Sequence, residues 1–194
     1  MKVIGLTGGI GSGKSTVANV LKEKFHAYLI LTDDVARELM EPGGASYQAV
    51  VAYFGTQILT ESGEIDRKAL ANIVFADQEK LETLNSLTHP LVMDYVLKKT
   101  EEIKKEGRYS CIVVESALLI QAGYIPYCDE VWYVRVPDDI RRTRLKSSRG
   151  YSDEKIDAIL QKQMSNEEFE LHATKIIDND GECTQIMKKI EKIL

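Results

Sequence analysis

Five short apolar runs punctuate the chain, at positions 3–6, 28–31, 111–114, 131–136 and 175–177. Each is rich in β-branched residues and too short for a typical helix, which predicts five buried strands. Between them the apolar spacing turns helical, with Val17, Val20, Leu21 and Phe25 on one face early in the chain and Ile186, Met187, Ile190 and Ile193 near its end. Strands alternating with helices predict an α/β fold built on a five-stranded parallel sheet flanked by helices. The long gap between the second and third runs has helical faces of its own: Ala69, Leu70, Ile73 and Val74, then Leu91, Val92, Tyr95 and Val96. It reads as a helical insert at about 60–106, with Pro90 opening the second of its helices at the first turn. A second gap, about 137–174, carries Arg141, Arg142, Arg144 and Arg149 and then a polar helix from about Ser152, the makings of a lid. All 194 residues fit a single domain with these two elaborations.

Composition narrows the partners. A formal net charge of -5 disfavours a surface that grips nucleic acid through its phosphates, so a small molecule is the expected partner. Cys111, Cys128 and Cys183 lie far apart with no C-x-x-C pair, which suggests neither a disulfide framework nor a zinc site. No stretch approaches the roughly 20 apolar residues that span a bilayer, and the first strand begins almost at once. The expectation is an untargeted cytoplasmic protein without a membrane partner. Sequence assigns no oligomeric state.

The chemistry concentrates in Gly8-Gly9-Ile10-Gly11-Ser12-Gly13-Lys14-Ser15, which satisfies G-x-x-x-x-G-K-[ST] between a predicted strand and a predicted helix. Glycines let the backbone turn its N–H groups toward phosphate oxygens at a helix N-terminus, where the dipole favours an anion. Lys14 would reach the β- and γ-phosphates and the Ser15 hydroxyl would ligate Mg²⁺. The expected ATP contacts are Gly11, Ser12, Gly13, Lys14, Ser15 and Thr16. The dinucleotide fingerprint G-x-G-x-x-G is excluded, because a frame starting at Gly9 meets Lys14 where it needs glycine.

Around this P-loop stand candidate acids and bases. Asp33 and Asp34 follow the second run directly, and one of them suits a carboxylate that orients or deprotonates a substrate hydroxyl. For Asp34 the spacing favours a helix N-cap ahead of positions 35–40. Glu115 ends the third run, where such proteins place an acid that holds Mg²⁺, although an acid there can also simply mark the strand's end. The four lid arginines are too close in sequence to share one helix face, so one or two should point inward to clamp phosphate. His26 and His172 carry no partner pattern, and His89 by itself reads as a loop or capping residue.

Taken together, the chain resembles the dephospho-CoA kinase family over nearly its whole length. The likeness rests on Leu6-Thr7-Gly8-Gly9-Ile10 opening the loop, on Asp33-Asp34-Val35-Ala36-Arg37-Glu38-Leu39 running to Glu41-Pro42-Gly43, on Asp66-Arg67, Val74-Phe75 and Leu84-Asn85 leading to His89-Pro90, and on Gln163-Met164 and Ile177-Asp178-Asn179 with Gly181. The resemblance implies a kinase that uses ATP and Mg²⁺ to phosphorylate the ribose 3′-hydroxyl of dephospho-CoA. It implies an insert that binds the CoA moiety, with Asp33, Arg37 and His89 on the acceptor, Arg144 as the lid's phosphate contact, and Asn179 near the adenine of ATP. The family's usual Asp-Ala-Asp triplet is Leu31-Thr32-Asp33 here, so the catalytic role falls to Asp33. Its usual Asp-x-Pro-Leu-Leu-Phe-Glu becomes Glu115-Ser116-Ala117-Leu118-Leu119-Ile120-Gln121, which loses a proline and an acid. The competing readings are another small P-loop kinase of nucleotides or sugar acids, and a nucleotide-dependent switch module.

Overall fold

The computed structural model describes residues 1–181 and 183–194; the side chains at 183 and 184, and with them the Cys183 thiol, lie outside the described residues. The chain divides into two compact units, one formed by Met1–Ile30 with Thr100–Leu194 and the other by Leu31–Lys99.

The first unit carries the sheet. Strands β1 (Lys2–Thr7), β2 (Tyr28–Leu31), β3 (Cys111–Glu115), β4 (Glu130–Arg135) and β5 (Lys175–Asp178) fall on the five apolar runs and lie in the order β2-β3-β1-β4-β5. The central β1 pairs in parallel with β3 and β4, and β4 pairs in parallel with β5. Their inward side chains, Ile4, Leu6, Val113, Trp132, Val134 and Ile177, pack with Val17 and Leu21 of α1 (Lys14–Phe25) and with Ile186 and Ile190 of α9 (Cys183–Glu191). This burial of both apolar stripes explains why the runs are continuous rather than alternating. The register sets Leu6 opposite Glu115, Thr7 opposite Tyr133, and Arg135 opposite Asp178. Segments leaving β1, β3 and β5 therefore emerge on the carboxyl edge, where open α/β sheets bind ligands.

Helices α6 (Asp138–Arg149), α7 (Asp153–Leu160) and α8 (Asn166–His172) fill the segment expected as a lid. Ser152 caps α7 by accepting from the Lys155 amide at 3.3 Å, and Ser165 with Glu168 forms a capping box on α8.

The second unit is helical: α2 (Thr32–Leu39), α3 (Tyr47–Phe54), α4 (Arg67–Ala76) and the larger part of α5 (Gln78–Glu106). Its core gathers Val50, Phe54, Ile58, Ile65, Leu70 and Val74, with Leu81, Leu84 and Leu87 of α5 packed against them. Asp66 caps α4, accepting from the amides of Lys68 at 2.9 Å and Ala69 at 3.1 Å. The insert expected at about 60–106 contains α4 and α5, whereas the helical unit itself begins at Leu31.

Pro90 does not open a helix; α5 runs through it without a break for 29 residues. One lost backbone hydrogen bond is outweighed by the apolar stripe that α5 buries on both sides of the proline, through Leu84 and Leu87 before it and Val92 and Val96 after it. Nor is Asp34 an N-cap. The chain is already helical at Thr32, so the cap position falls on extended Leu31 and Asp34 sits in the first turn, paired with Arg37 at 3.0 Å. Because Pro90 is exposed, Pro90→Ala removes a helix-interior penalty without opening a cavity. Urea denaturation of this variant should give a gain of about 1–3 kcal/mol in unfolding free energy, and a loss would contradict the account of α5.

Candidate nucleotide site

Residues 8–13 connect the end of β1 to the start of α1. Helix α1 has no side-chain cap and no acidic residue in its first turn, so its leading amides and its positive dipole end are left to an external anion. Gly13, at the cap position, has φ +86, and a Cβ there would stand 2.1 Å from Asn179 Nδ2. Glycine is thus required twice over, by the backbone angle and by the neighbour. At Gly8 a Cβ would meet the Val134 carbonyl at 2.6 Å, which holds the loop's first turn tight against β4.

Three groups from the far end of the unit hold this loop from outside. Asn179, only 3% exposed just past β5, donates from Nδ2 to the Ser12 carbonyl at 2.7 Å. Arg144 of α6 donates to the Asn179 carbonyl at 2.8 Å and to the Ser12 carbonyl at 3.4 Å. Gln163 Oε1, between α7 and α8, accepts from the Ile10 amide at 3.1 Å. From within, Lys14 Nζ donates to the carbonyls of Gly8 at 2.8 Å and Gly9 at 3.3 Å, which carries its charge across the mouth of the loop. Three side-chain atoms here are buried with no partner among the described residues: Thr7 Oγ1, Ser12 Oγ and Arg141 Nε. Buried polar atoms are ordinarily satisfied, so this concentration marks a place built for a polar ligand or ordered water.

The other expected residues are placed as follows. Ser15 and Thr16 are exposed on the first turn of α1, and Glu115 is half-buried at the last position of β3, beside Leu6 of β1. Asp33 is exposed in the first turn of α2, and Arg37, also exposed, is occupied by Asp34. His89 is half-buried in the middle of α5, where desolvation lowers its pKa and keeps the imidazole neutral near pH 7. Within the helical unit, a cavity of about 360 Å³ is lined by Met40, Glu41, Pro42, Glu64, Ile65 and Arg67.

Of the four arginines in the segment expected as a lid, Arg141 is buried, Arg144 is half-buried on the loop, Arg142 pairs with Asp157, and Arg149 is exposed. In the sequence Arg144 stands out only through the family resemblance and Arg141 is one of four equivalents; only the helix phase relative to the loop separates them. Asn179 enters as a strut of the loop, and Gln163 carried no signal beyond its place in a family motif. Burial pushes the Cys128 thiol up to about 11 and raises that of Cys111, so neither is a thiolate near neutrality. Among the described residues no group of three His, Cys, Asp or Glu side chains is placed to hold a metal on its own, and no helix is long and apolar enough to cross a membrane.

A parallel sheet with this glycine-rich cradle at the end of its central strand defines a P-loop protein that binds a nucleoside triphosphate. The chain belongs to the dephospho-CoA kinase family, ATP-dependent phosphotransferases, whose family model matches residues 2–185. A dephospho-CoA kinase from Carboxydothermus hydrogenoformans is 42% identical over 194 residues, covering 100% of this chain and 93% of that one. One from Geobacter sulfurreducens is 39% identical, with 100% and 97% covered. Among solved structures, a Thermus thermophilus protein superposes with a TM-score of 0.80 at 27% identity, covering 99% of this chain and 95% of that one. A shikimate kinase from Acinetobacter baumannii, at 15% identity and a TM-score of 0.54 with 100% and 92% covered, shares the fold alone.

The Asn179 strut is directly testable. Asn179→Ala leaves the Ser12 carbonyl without its buried donor, and Asn179→Asp sets a carboxylate oxygen against it. Calorimetric titration should show ATP affinity about tenfold weaker for the alanine variant and weaker still for the aspartate. Unchanged affinity in both would show that the loop does not need the strut.

Proposed function

We propose that this chain transfers the γ-phosphate of ATP to the ribose 3′-hydroxyl of dephospho-CoA, giving CoA and ADP, the last step of coenzyme A biosynthesis, in the cytoplasm. The observation that carries the reading is the family match over almost the whole chain, joined to a cradle whose backbone is already braced in a phosphate-binding shape.

In this reading the amides of the loop and of α1's first turn bind the polyphosphate, and Gly11, Ser12, Gly13 and Thr16 shape that contact. Lys14 sits across the loop mouth and neutralises charge on the transferring group. Ser15 and Glu115 offer only oxygen donors, one exposed at the start of α1 and one half-buried at the end of the adjacent β3. That donor set suits Mg²⁺, which is commonly held by one or two protein oxygens plus phosphate and water. Held there, the ion would supply neutralisation of phosphate charge. Asp33, exposed in the first turn of α2, accepts or orients the proton of the 3′-hydroxyl. Arg144 steadies the lid on the loop through the Ser12 and Asn179 carbonyls, while Arg37 and neutral His89 belong to the acceptor side. The cavity of about 360 Å³ in the helical unit has a volume suited to part of the acceptor's pantetheine arm.

Three outcomes are expected. Lys14→Ala should lower kcat about a thousandfold or more with the fold intact by circular dichroism, and near-native turnover would remove the cradle from the mechanism. In Asp33→Asn the single-turnover rate should fall about a hundredfold or more while ATP affinity is little changed. A collapse of ATP affinity instead would make Asp33 a nucleotide-site residue. With ATP and Mg²⁺ held fixed, kcat/KM for dephospho-CoA should exceed that for adenosine, AMP, gluconate and shikimate, and parity with any of these would reject the acceptor. Release of ADP with no acceptor preference would favour the switch reading.

A further inference from the structure

Arg141 is a buried charge of the sheet-bearing unit with little compensation among the described residues. It stands on α6 at 5% exposure. Its Nε is buried without an acceptor among the described residues. Its ion pair is to Asp138 at 3.5 Å, a carboxylate whose own side chain is 63% exposed. A guanidinium carries five donors, and burying one with a single long ion pair among the described residues is costly unless another anion meets it. Around it, Tyr133 already donates its hydroxyl to Asn166, and Gln163 spends its oxygen on the Ile10 amide.

The position of that charge is specific. A Cβ built on Gly9 would stand 3.0 Å from Arg141 Nη2, and one on Gly11 would stand 3.1 Å from Arg141 Cγ, so the side chain lies along the first half of the phosphate loop. Lys14 Nζ reaches the same end of the loop, at the Gly8 and Gly9 carbonyls. Since the P-loop lysine serves the β- and γ-phosphates, a terminal phosphate is expected at this end of the loop. Arg144, by contrast, spends its donors on the Ser12 and Asn179 carbonyls.

We propose that Arg141 is a second phosphate-binding cation of the site, facing the terminal phosphate of the bound nucleoside triphosphate opposite Lys14, with Arg144 acting as a brace. The assignment rests on the nucleotide reading of the loop but not on the identity of the acceptor. It gives the site a means of telling a triphosphate from a diphosphate, because the cation is placed for the one group that ADP lacks. It also sets a planar, multi-donor group where charge shifts during transfer, which suits the three equatorial oxygens of the transferring phosphoryl group.

The test compares wild type with Arg141→Gln, Arg141→Met and Arg141→Lys. Each is titrated calorimetrically with ATP, ADP and inorganic tripolyphosphate, and unliganded thermal unfolding is recorded in parallel. The glutamine and methionine variants should bind ATP and tripolyphosphate about 10–100-fold more weakly. ADP affinity should change less than about threefold, and the unliganded unfolding midpoint should hold or rise as an uncompensated buried charge is removed. Lysine should restore part of the ATP-to-ADP affinity ratio, since it returns a point charge without the fork. A structural brace would give the opposite pattern: a lower midpoint with ATP and ADP weakened in equal proportion, or neutral variants that do not fold. Either result overturns the proposal, as does an unchanged ATP affinity. Wild-type turnover of dephospho-CoA, measured alongside, separates the two claims. An Arg141-dependent ATP affinity without that turnover rejects only the acceptor. Turnover with ATP affinity indifferent to Arg141 rejects only this assignment.

Discussion

A peptide loop that offers its N–H groups to an anion must keep its carbonyls turned away, and in this chain the Ser12 carbonyl is where that condition is met. Asn179 donates to it from a buried position at 2.7 Å, and Arg144 adds a longer contact while bonding the Asn179 carbonyl as well. A buried hydrogen bond of this kind has a modest net worth when made but costs about 1–3 kcal/mol when one partner is removed, so the loop is fixed chiefly by the penalty for letting go. The bracing group comes from the segment after β5 and the braced one from the segment after β1, two strands separated in the sheet by β4. Parallel pairing in register brings them to one edge, and the apolar core beneath, centred on Leu6, Trp132, Val134 and Ile177, keeps that register. The chemistry at the loop is therefore downstream of ordinary packing.

A second layer of ion pairs ties the same edge together. Arg135 at the end of β4 bonds Asp178 of β5 and Glu170 of α8, each at 2.7 Å, and Lys189 of α9 donates to the Asp178 carbonyl at 2.6 Å. These contacts are partly exposed, so their value lies more in fixing the direction of the 178–180 turn than in raw stability. That turn carries Asn179 and so sets the position of the strut.

Much of this was legible in the sequence, for reasons that can be named. The five strands were readable because both faces of a parallel sheet are buried, leaving continuous β-branched runs, and the loop was readable because only glycine fits its turns. Helix α7 announced itself through the Ser152 cap. What failed was local in reach. At Pro90 the proline preference for a first turn is a statement about one backbone hydrogen bond, and it was overruled by packing from Leu84 through Val96 that no short window contains. At Asp34 a one-turn shift of the helix start turned a presumed cap into half of an ion pair with Arg37. On α6, four arginines in nine positions are chemically alike in sequence, and only the phase of the helix against Gly9 and Gly11 distinguishes the buried Arg141 from the bracing Arg144. Gln163 and Asn179 act through single bonds to backbone atoms more than 150 positions away, which no periodicity encodes.

The acceptor is decided by where the γ-phosphate goes. The most direct measurement is the fate of the label from γ-³²P-ATP incubated with Mg²⁺, the protein and dephospho-CoA, with the product's phosphorylation site assigned by mass spectrometry and its sensitivity to a 3′-nucleotidase. Label is expected in a single 3′-phosphomonoester of the acceptor, all of it released by that enzyme. Label found in inorganic phosphate alone, or on another hydroxyl of the acceptor, would contradict transfer to the ribose 3′-hydroxyl.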